Sequence, residues 1–325
     1  MARLRLSLAC GDYELTRPLL DETVRPEGIE FVVTSGAQPD RLRRMARFEE
    51  FDICEYSLAS YVVGRARGRA FTAIPVFPHR RFRHSYIFCR NDGSVKRPQD
   101  LQGRRVGLRT YQAVVSVWCR GLLQDEYGVD LSTITWVVKD EEDEALPPLS
   151  YIVERLKDGL DIEQALLDGV VDAVIFPETL PGLSTGGVRR LIADAFATER
   201  TYYATHRIYP IMHVIVIKDA VLAQHPWVAR NVLEAFEQAK RLAYRRLANP
   251  RRLPLVWAQE LWEEQQRLFG GDPYPYSVEA NRHTLETFLR YAREQGLVKE
   301  PSRVEDLFPE MVLDHMPRYW EGYEH

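Results

Sequence analysis

The sequence predicts an α/β protein built as two domains. Three observations carry that expectation. The chain has 325 residues, about twice the common length of one domain. Short runs rich in β-branched and aromatic residues alternate with amphipathic stretches of helical period, which indicates parallel sheets. A polar crossing, 91–99, with Gly93 and Pro98, separates one such alternation from a fresh one.

In chain order, Leu4 to Ala9 reads as the first strand, followed by Cys10-Gly11-Asp12-Tyr13 and a helix from about Glu14 to Leu20. Asp12 could cap that helix or point into a cleft at the strand's carboxyl end. Gly28 to Val33 is a second strand, and Pro39 to Phe48 a helix with Leu42, Met45 and Phe48 on one face. Phe51 to Glu55 is a short buried strand, and Ser57 opens a helix towards Val63. Glu55 and Ser57 stand at a strand-to-helix junction, where unpaired N–H groups face an anion. Ser57 also suits a plain N-cap.

Two strands, Ala73 to Phe77 and Ser85 to Phe88, flank Pro78-His79-Arg80-Arg81-Phe82-Arg83-His84. Three arginines and two histidines so close together cannot all be buried, and a turn would use Gly, Asn or Asp instead. Guanidinium meets carboxylate in two-point geometry, so such a loop suits a small carboxylate ligand. A solvated basic connection is the plain alternative.

Beyond the crossing, 104–108 is a strand ending at Arg109-Thr110-Tyr111-Gln112, and a helix runs from about Ala113 to Tyr127. Thr110 can cap that helix while its hydroxyl binds a ligand oxygen. Trp118 and Leu122 belong to its core face. Ile134 to Val138 is a strand, Ile162 to Asp168 a helix and 172–177 a strand ending at a turn. The acidic run Asp140-Glu141-Glu142-Asp143-Glu144 reads as a solvated loop. His213 to Ile217 is an unambiguous strand, with Tyr202, Tyr203, His206 and Tyr209 before it and a helix from Pro226 to about Arg246 after it. Helices fill most of 254–300.

Composition narrows the function. Lys plus Arg number 43 and Asp plus Glu 47, for a net charge of -4. There is no basic excess to hold nucleic acid and no apolar run of membrane-spanning length. The N-terminal apolar stretch is too short for a signal sequence and is broken by Arg5. Cys10, Cys54, Cys89 and Cys119 sit in apolar runs without CxxC spacing, which favours buried free thiols and a cytoplasmic protein. Dinucleotide, phosphate-loop, nucleophile-elbow and HExxH motifs are absent. A metal held by His84, His206 and His213 with a carboxylate could form in three dimensions, but no spacing argues for it.

Several motifs together carry a resemblance. Pro75-Val76-Phe77-Pro78 followed by Arg80 and Phe82-Arg83-His84-Ser85 resembles the signature of the 4,5-dihydroxyphthalate decarboxylase family. Cys10-Gly11-Asp12-Tyr13, Phe51-Asp52-Ile53-Cys54-Glu55 with Ser57-Leu58, Pro210-Ile211-Met212-His213 and His225-Pro226-Trp227 fit it too. The similarity reaches Asp306-Leu307-Phe308. It implies a two-domain type II periplasmic-binding-protein-like fold with the ligand in a cleft between the domains. Domain 1 would comprise 1–95 and 205–325, and domain 2 would be 96–204, inserted.

The activity implied is non-oxidative decarboxylation of a hydroxylated aromatic acid, 4,5-dihydroxyphthalate or a relative. A ring hydroxyl pushes electrons into the ring, an acid protonates the carbon bearing the carboxylate, and carbon dioxide leaves. His84 or His213 would be that acid, with slight preference for His84. Arg80 and Arg83 would clamp carboxylates. Glu55 or Asp12 would accept a hydroxyl proton or orient an imidazole. Tyr13, Ser57, Thr110, Tyr111 and Gln112 would add hydrogen bonds. No organic cofactor is required, and a divalent metal could do similar electronic work. The partner expected is a small aromatic carboxylate, with a homo-oligomer compatible. The alternative is a cytoplasmic solute-binding-like module that closes on an aromatic or dicarboxylic acid without turnover. A pyrimidine-precursor synthase of the same fold is weaker, lacking a cysteine-rich iron motif.

Overall fold

A computed structural model describes residues 3–34, 38–300 and 302–319. Among the described residues eleven strands form two sheets: β1 (Leu4–Ala9), β2 (Ile29–Val33), β3 (Ile53–Ser57), β4 (Phe71–Ile74), β5 (Ile87–Arg90), β6 (Arg105–Leu108), β7 (Thr135–Val138), β8 (Val153–Arg155), β9 (Ala173–Ile175), β10 (Val188–Arg190) and β11 (His213–Lys218). The first sheet runs β2-β1-β3-β11-β4 and the second β10-β5-β9-β6-β7-β8. In the first, β1 is parallel to β2 and β3, while β11 is antiparallel to β3 and β4. In the second, β6 to β9 are parallel and β5 is antiparallel to β9 and β10.

The central strands of the first sheet are buried throughout. All five residues of β3 are buried, as are His213 to Ile217 of β11. That matches runs apolar on both faces, with helices covering each side. The short β8 and β10 leave no periodic pattern in the sequence. Helix Ala195–His206 also escapes the sequence reading, because only Ala195 and Tyr202 of its length are buried.

Two boundaries differ from expectation. The chain crosses to the second sheet earlier than residue 95, since β5 already pairs with β9 and β10. Residues His84–Tyr86 form a 3₁₀ turn rather than the start of that strand. The two sheets also share one hydrophobic core, which includes Leu8 and Val216 of the first and Val106 and Trp136 of the second. The C-terminal helix Val278–Glu294 helps to weld them. A Cβ on Gly121, in helix Val114–Tyr127, would lie 2.2 Å from the Tyr291 ring, so glycine permits that close approach. Trp118 and Leu122 are buried in this core, as read from their spacing.

The acidic run is not a solvated loop. Glu142 accepts the backbone N–H groups of Tyr111 (2.6 Å) and Gln112 (2.9 Å). Glu144 is buried beside Arg69 and the Tyr56 hydroxyl. Glu142 thus holds the turn after β6 within the second sheet, and Glu144 ties the second sheet to the first through Arg69 and Tyr56. Among the described residues no helix is long and apolar enough to cross a membrane.

Candidate active site

The site forms where β3 ends, β11 begins and the second sheet presents the carboxyl ends of β6, β7 and β9, the usual ligand position in such sheets. Register sets its centre. Ser57 lies opposite His213, and Glu55 opposite Ile215. Glu55 is therefore diagonal to His213 on one face of the pair, within side-chain reach. The Glu55 carboxylate hydrogen-bonds His213 Nδ1. It also accepts the Gly11 N–H (2.6 Å), the Tyr13 hydroxyl (2.9 Å) and Arg41 Nη2 (2.9 Å). A Cβ on Gly11 would fall 2.3 Å from the Tyr13 ring, so only glycine leaves that ring its place. Burial pushes the Glu55 carboxyl up, but His213, Arg41 and the Gly11 N–H outweigh it and hold the group at about 2. Glu55 is thus a permanent buried anion behind His213.

The basic loop is fastened to the start of β11. The His79 carbonyl accepts the N–H groups of Met212 (2.9 Å) and His213 (3.2 Å), and Arg80 bridges to Ile211. The His79 ring meets His213 edge-on, with centroids 4.8 Å apart. Burial, with His213 and Arg83 nearby, pushes His79 down to about 2, so it is a neutral imidazole. Arg83 is buried. Its Nε and Nη2 donate to Met212 Sδ at 3.0 and 2.8 Å, and its Nη1 to the Pro177 carbonyl at 3.3 Å. Burial lowers it to about 10, which still leaves it a cation at neutral pH. Among the described residues it has no carboxylate partner. A buried guanidinium held by a thioether, one carbonyl and the Tyr86 ring, 4.8 Å away, is chemically suited to an anion.

These groups face a cleft of about 200 Å³. The first sheet supplies Ser57, His79, Arg81, Arg83 and His213 to its lining, and the second supplies Arg109, Thr110, Asp140, Asp143 and Glu178. Ser57 has both roles foreseen for it, since it lines the cleft and accepts the Ser60 N–H as N-cap.

Four of the expected residues line the cleft: Ser57, Arg83, Thr110 and His213. Glu55 and Tyr13 stand behind them. The others are placed elsewhere, each for a visible reason. His84 is wholly buried off the cleft, with Glu199 3.9 Å away and Tyr202 against its ring. Arg80 is held by Asn281 Oδ1 (2.7 Å) and the Tyr209 carbonyl, so it braces the fold rather than a ligand. Asp12 is exposed and paired with Arg17 at 3.1 Å, and Thr16 takes the cap position instead. Tyr111 is buried with its hydroxyl on the Gln295 carbonyl, and Gln112 is buried on the Glu144 carbonyl. His79, Arg109 and Asp143 were missed as site residues. His79 stood in the basic run, but nothing local marks which of its members turn inward.

The expected metal set does not assemble, because His206 lies at the surface 3.1 Å from Glu126, and His84 is enclosed. Among the described residues, ligand atoms converge at Glu55, His79 and His213, within 4.8 Å. The Glu55 oxygens already accept from Gly11, Tyr13, Arg41 and His213. A cation there would rest on the imidazoles of His79 and His213, with Glu55 as the outer partner of His213.

No family model matches the chain. A 4,5-dihydroxyphthalate decarboxylase of Comamonas testosteroni is 33% identical over 327 residues, covering 97% of this chain and 99% of that protein. A 4,5-dihydroxyphthalate decarboxylase of Pseudomonas putida is 36% identical over 195 residues, 58% of this chain and 75% of that one. Among solved structures, the periplasmic aliphatic sulphonate binding protein SsuA of Escherichia coli matches with TM-score 0.54 and 17% identity, over 100% of this chain and 96% of its own. The desulfurization enzyme DszB matches with TM-score 0.52 and 16% identity, over 95% and 98%. At such identities these structures speak for the fold alone, the two-domain type II periplasmic-binding-protein-like fold. With a relative aligned along nearly its whole length, the chain belongs to the 4,5-dihydroxyphthalate decarboxylase family.

Proposed function

We propose that the protein decarboxylates a hydroxylated aromatic acid, 4,5-dihydroxyphthalate or a relative, with His213 as the proton donor and Arg83 as the carboxylate clamp. The observation that carries this reading is the Glu55–His213 pair opening on the same cleft as a buried guanidinium that has no carboxylate of its own. Glu55 fixes the His213 tautomer and stabilises positive charge on the ring, which leaves Nε2 to carry the transferable proton.

In this reading a substrate carboxylate docks on Arg83 and holds the ring beside His213. Nε2 gives its proton to the ring carbon bearing the departing carboxylate. The carbon–carbon bond pair then returns to the ring as carbon dioxide leaves. His213 regains a proton from solvent, so the balance is one carboxylate and one proton in, one arene C–H and one carbon dioxide out. His79, neutral at working pH, packs edge-on against His213 and is not a second acid. The four cysteines are free and buried, which agrees with the cytoplasmic setting expected from their spacing.

The test is carbon dioxide release from 4,5-dihydroxyphthalate and a panel of hydroxybenzoates by purified protein, with and without chelator. Release that survives chelator and vanishes in His213→Asn supports the scheme. Loss with chelator moves His79 and His213 into metal binding. Thermal stabilisation by the acids with no release favours the binding module.

A further inference from the structure

Decarboxylation by ring protonation needs electron density at the carbon that receives the proton. A hydroxyl para to the leaving carboxylate supplies it best as a phenolate, so its proton must find an acceptor. We infer that Asp143 is that acceptor, a catalytic base that takes the ring-hydroxyl proton at the opposite side of the cleft from Arg83. The inference rests on the functional reading above and deepens it.

Asp143 belongs to an acidic run in which each neighbour has an arginine or a pair of backbone N–H groups beside it. Asp140 pairs with Arg109 at 3.1 Å, and Glu141 with Arg47 at 3.4 Å. Glu142 takes the two N–H groups of Tyr111 and Gln112. Glu144 pairs with Arg69 at 3.2 Å. Among the described residues Asp143 has only the Ser60 hydroxyl as a hydrogen-bond partner, at 3.3 Å. It nevertheless lines the cleft with Arg83 and His213. Of the acids on that lining, Asp140 and Glu141 are neutralised by arginine, and Glu178 is exposed. Asp143 alone combines shielding with unused acceptor capacity.

The strand order sets the direction of the substrate. Arg83 donates to Pro177, just past β9, whereas Asp143 follows β7. β9 and β7 flank β6, so their ends stand about 10 Å apart at the usual strand spacing. A ring with its carboxylate on Arg83 reaches across the cleft whose lining also holds Asp143. Ser60 lies in the first turn of helix Leu58–Ala66, whose positive end favours the carboxylate form at rest. Burial raises the Asp143 carboxyl and outweighs the Ser60 hydrogen bond, Arg109, Arg43 and Arg47, which pull it down, and Glu144 and Tyr56 are its other titratable neighbours. A raised carboxyl is the better base.

The proton cycle closes. The phenolic proton passes to Asp143, His213 protonates the ring carbon, and carbon dioxide departs. Asp143 then returns its proton to the product phenolate.

The test has two arms. In the first, Asp143→Asn is compared with wild type on 4,5-dihydroxyphthalate. A fall in kcat of about 100-fold or more, with phthalate binding unchanged and partial recovery in Asp143→Glu, is expected. An unchanged kcat overturns the inference while leaving the functional reading intact. In the second arm, 4,5-dihydroxyphthalate is bound to His213→Asn, and the catecholate absorbance that marks a lost hydroxyl proton is recorded. The band is expected there and absent from His213→Asn/Asp143→Asn. A band that persists in the double variant overturns the role of Asp143, and this arm reads out even where no carbon dioxide is released.

Discussion

His84 and His213 offer the sharpest comparison in the molecule. Both are buried, and both stand beside family-like motifs. His213 begins a strand whose register brings Glu55 to its Nδ1 and turns its ring to the cleft. His84 begins a 3₁₀ turn, and among the described residues neither of its ring nitrogens has a hydrogen-bond partner. Burial alone pushes it down to about 4. The difference teaches that a histidine becomes a proton donor through the carboxylate behind it and the space before it, not through the density of charge around it in sequence.

The largest test of that contrast is catalytic. His213→Asn should lower kcat for decarboxylation by roughly 100- to 10,000-fold, the usual worth of a positioned acid. Glu55→Gln should follow it down by on the order of 100-fold through loss of tautomer control. His84→Leu should stay within about threefold of wild type, because no step runs through His84. A large loss in His84→Leu, with melting temperature kept, would reverse the assignment.

Next comes the matching contrast between Arg83 and Arg80. Arg83→Met should raise KM by about 10- to 100-fold, the worth of a charged hydrogen bond of about 1.5–3 kcal/mol. Arg80→Met should leave KM near wild type and lower the melting temperature, because it orphans Asn281 and the Tyr209 carbonyl. Each orphaned buried group costs about 1–3 kcal/mol. Initial-rate kinetics alongside thermal melts separate the two.

The smallest effects are in stability against pH. The His84 imidazole is held neutral, so the fold loses stability as pH falls from about 6.5 towards about 4. Glu55 is held ionised, so its contribution is full above about 4.5 and is lost as pH falls towards about 2. His84→Leu should flatten the upper window and Glu55→Gln the lower one, each by a few kcal/mol at its acid end, over a background from His79, whose neutral ring loses stability from about 6.5 down towards about 2. Melting temperatures across pH 2–8 would show whether the two windows separate in this way.

The sequence by itself determined the class of fold, because strand runs such as His213–Ile217 and helical stripes such as Val228–Leu247 declare their periods locally. It also marked the basic loop and the β3 junction, since Glu55 amid Ile53, Cys54 and Tyr56 is a charge where a buried strand should have none. Tertiary structure alone decided which of these groups meet. Glu55 and His213 are far apart in sequence and become partners only through the β3–β11 register. Arg80 and Arg83 differ only in what lies beside them, Asn281 for one and an open cleft for the other. Asp143 reads as one more solvated acid until Ser60 and the cleft are placed around it. Local periodicity fixes elements because backbone geometry repeats every few residues. A proton donor and its base depend on charge and burial, and those are set by neighbours that only the folded chain brings together.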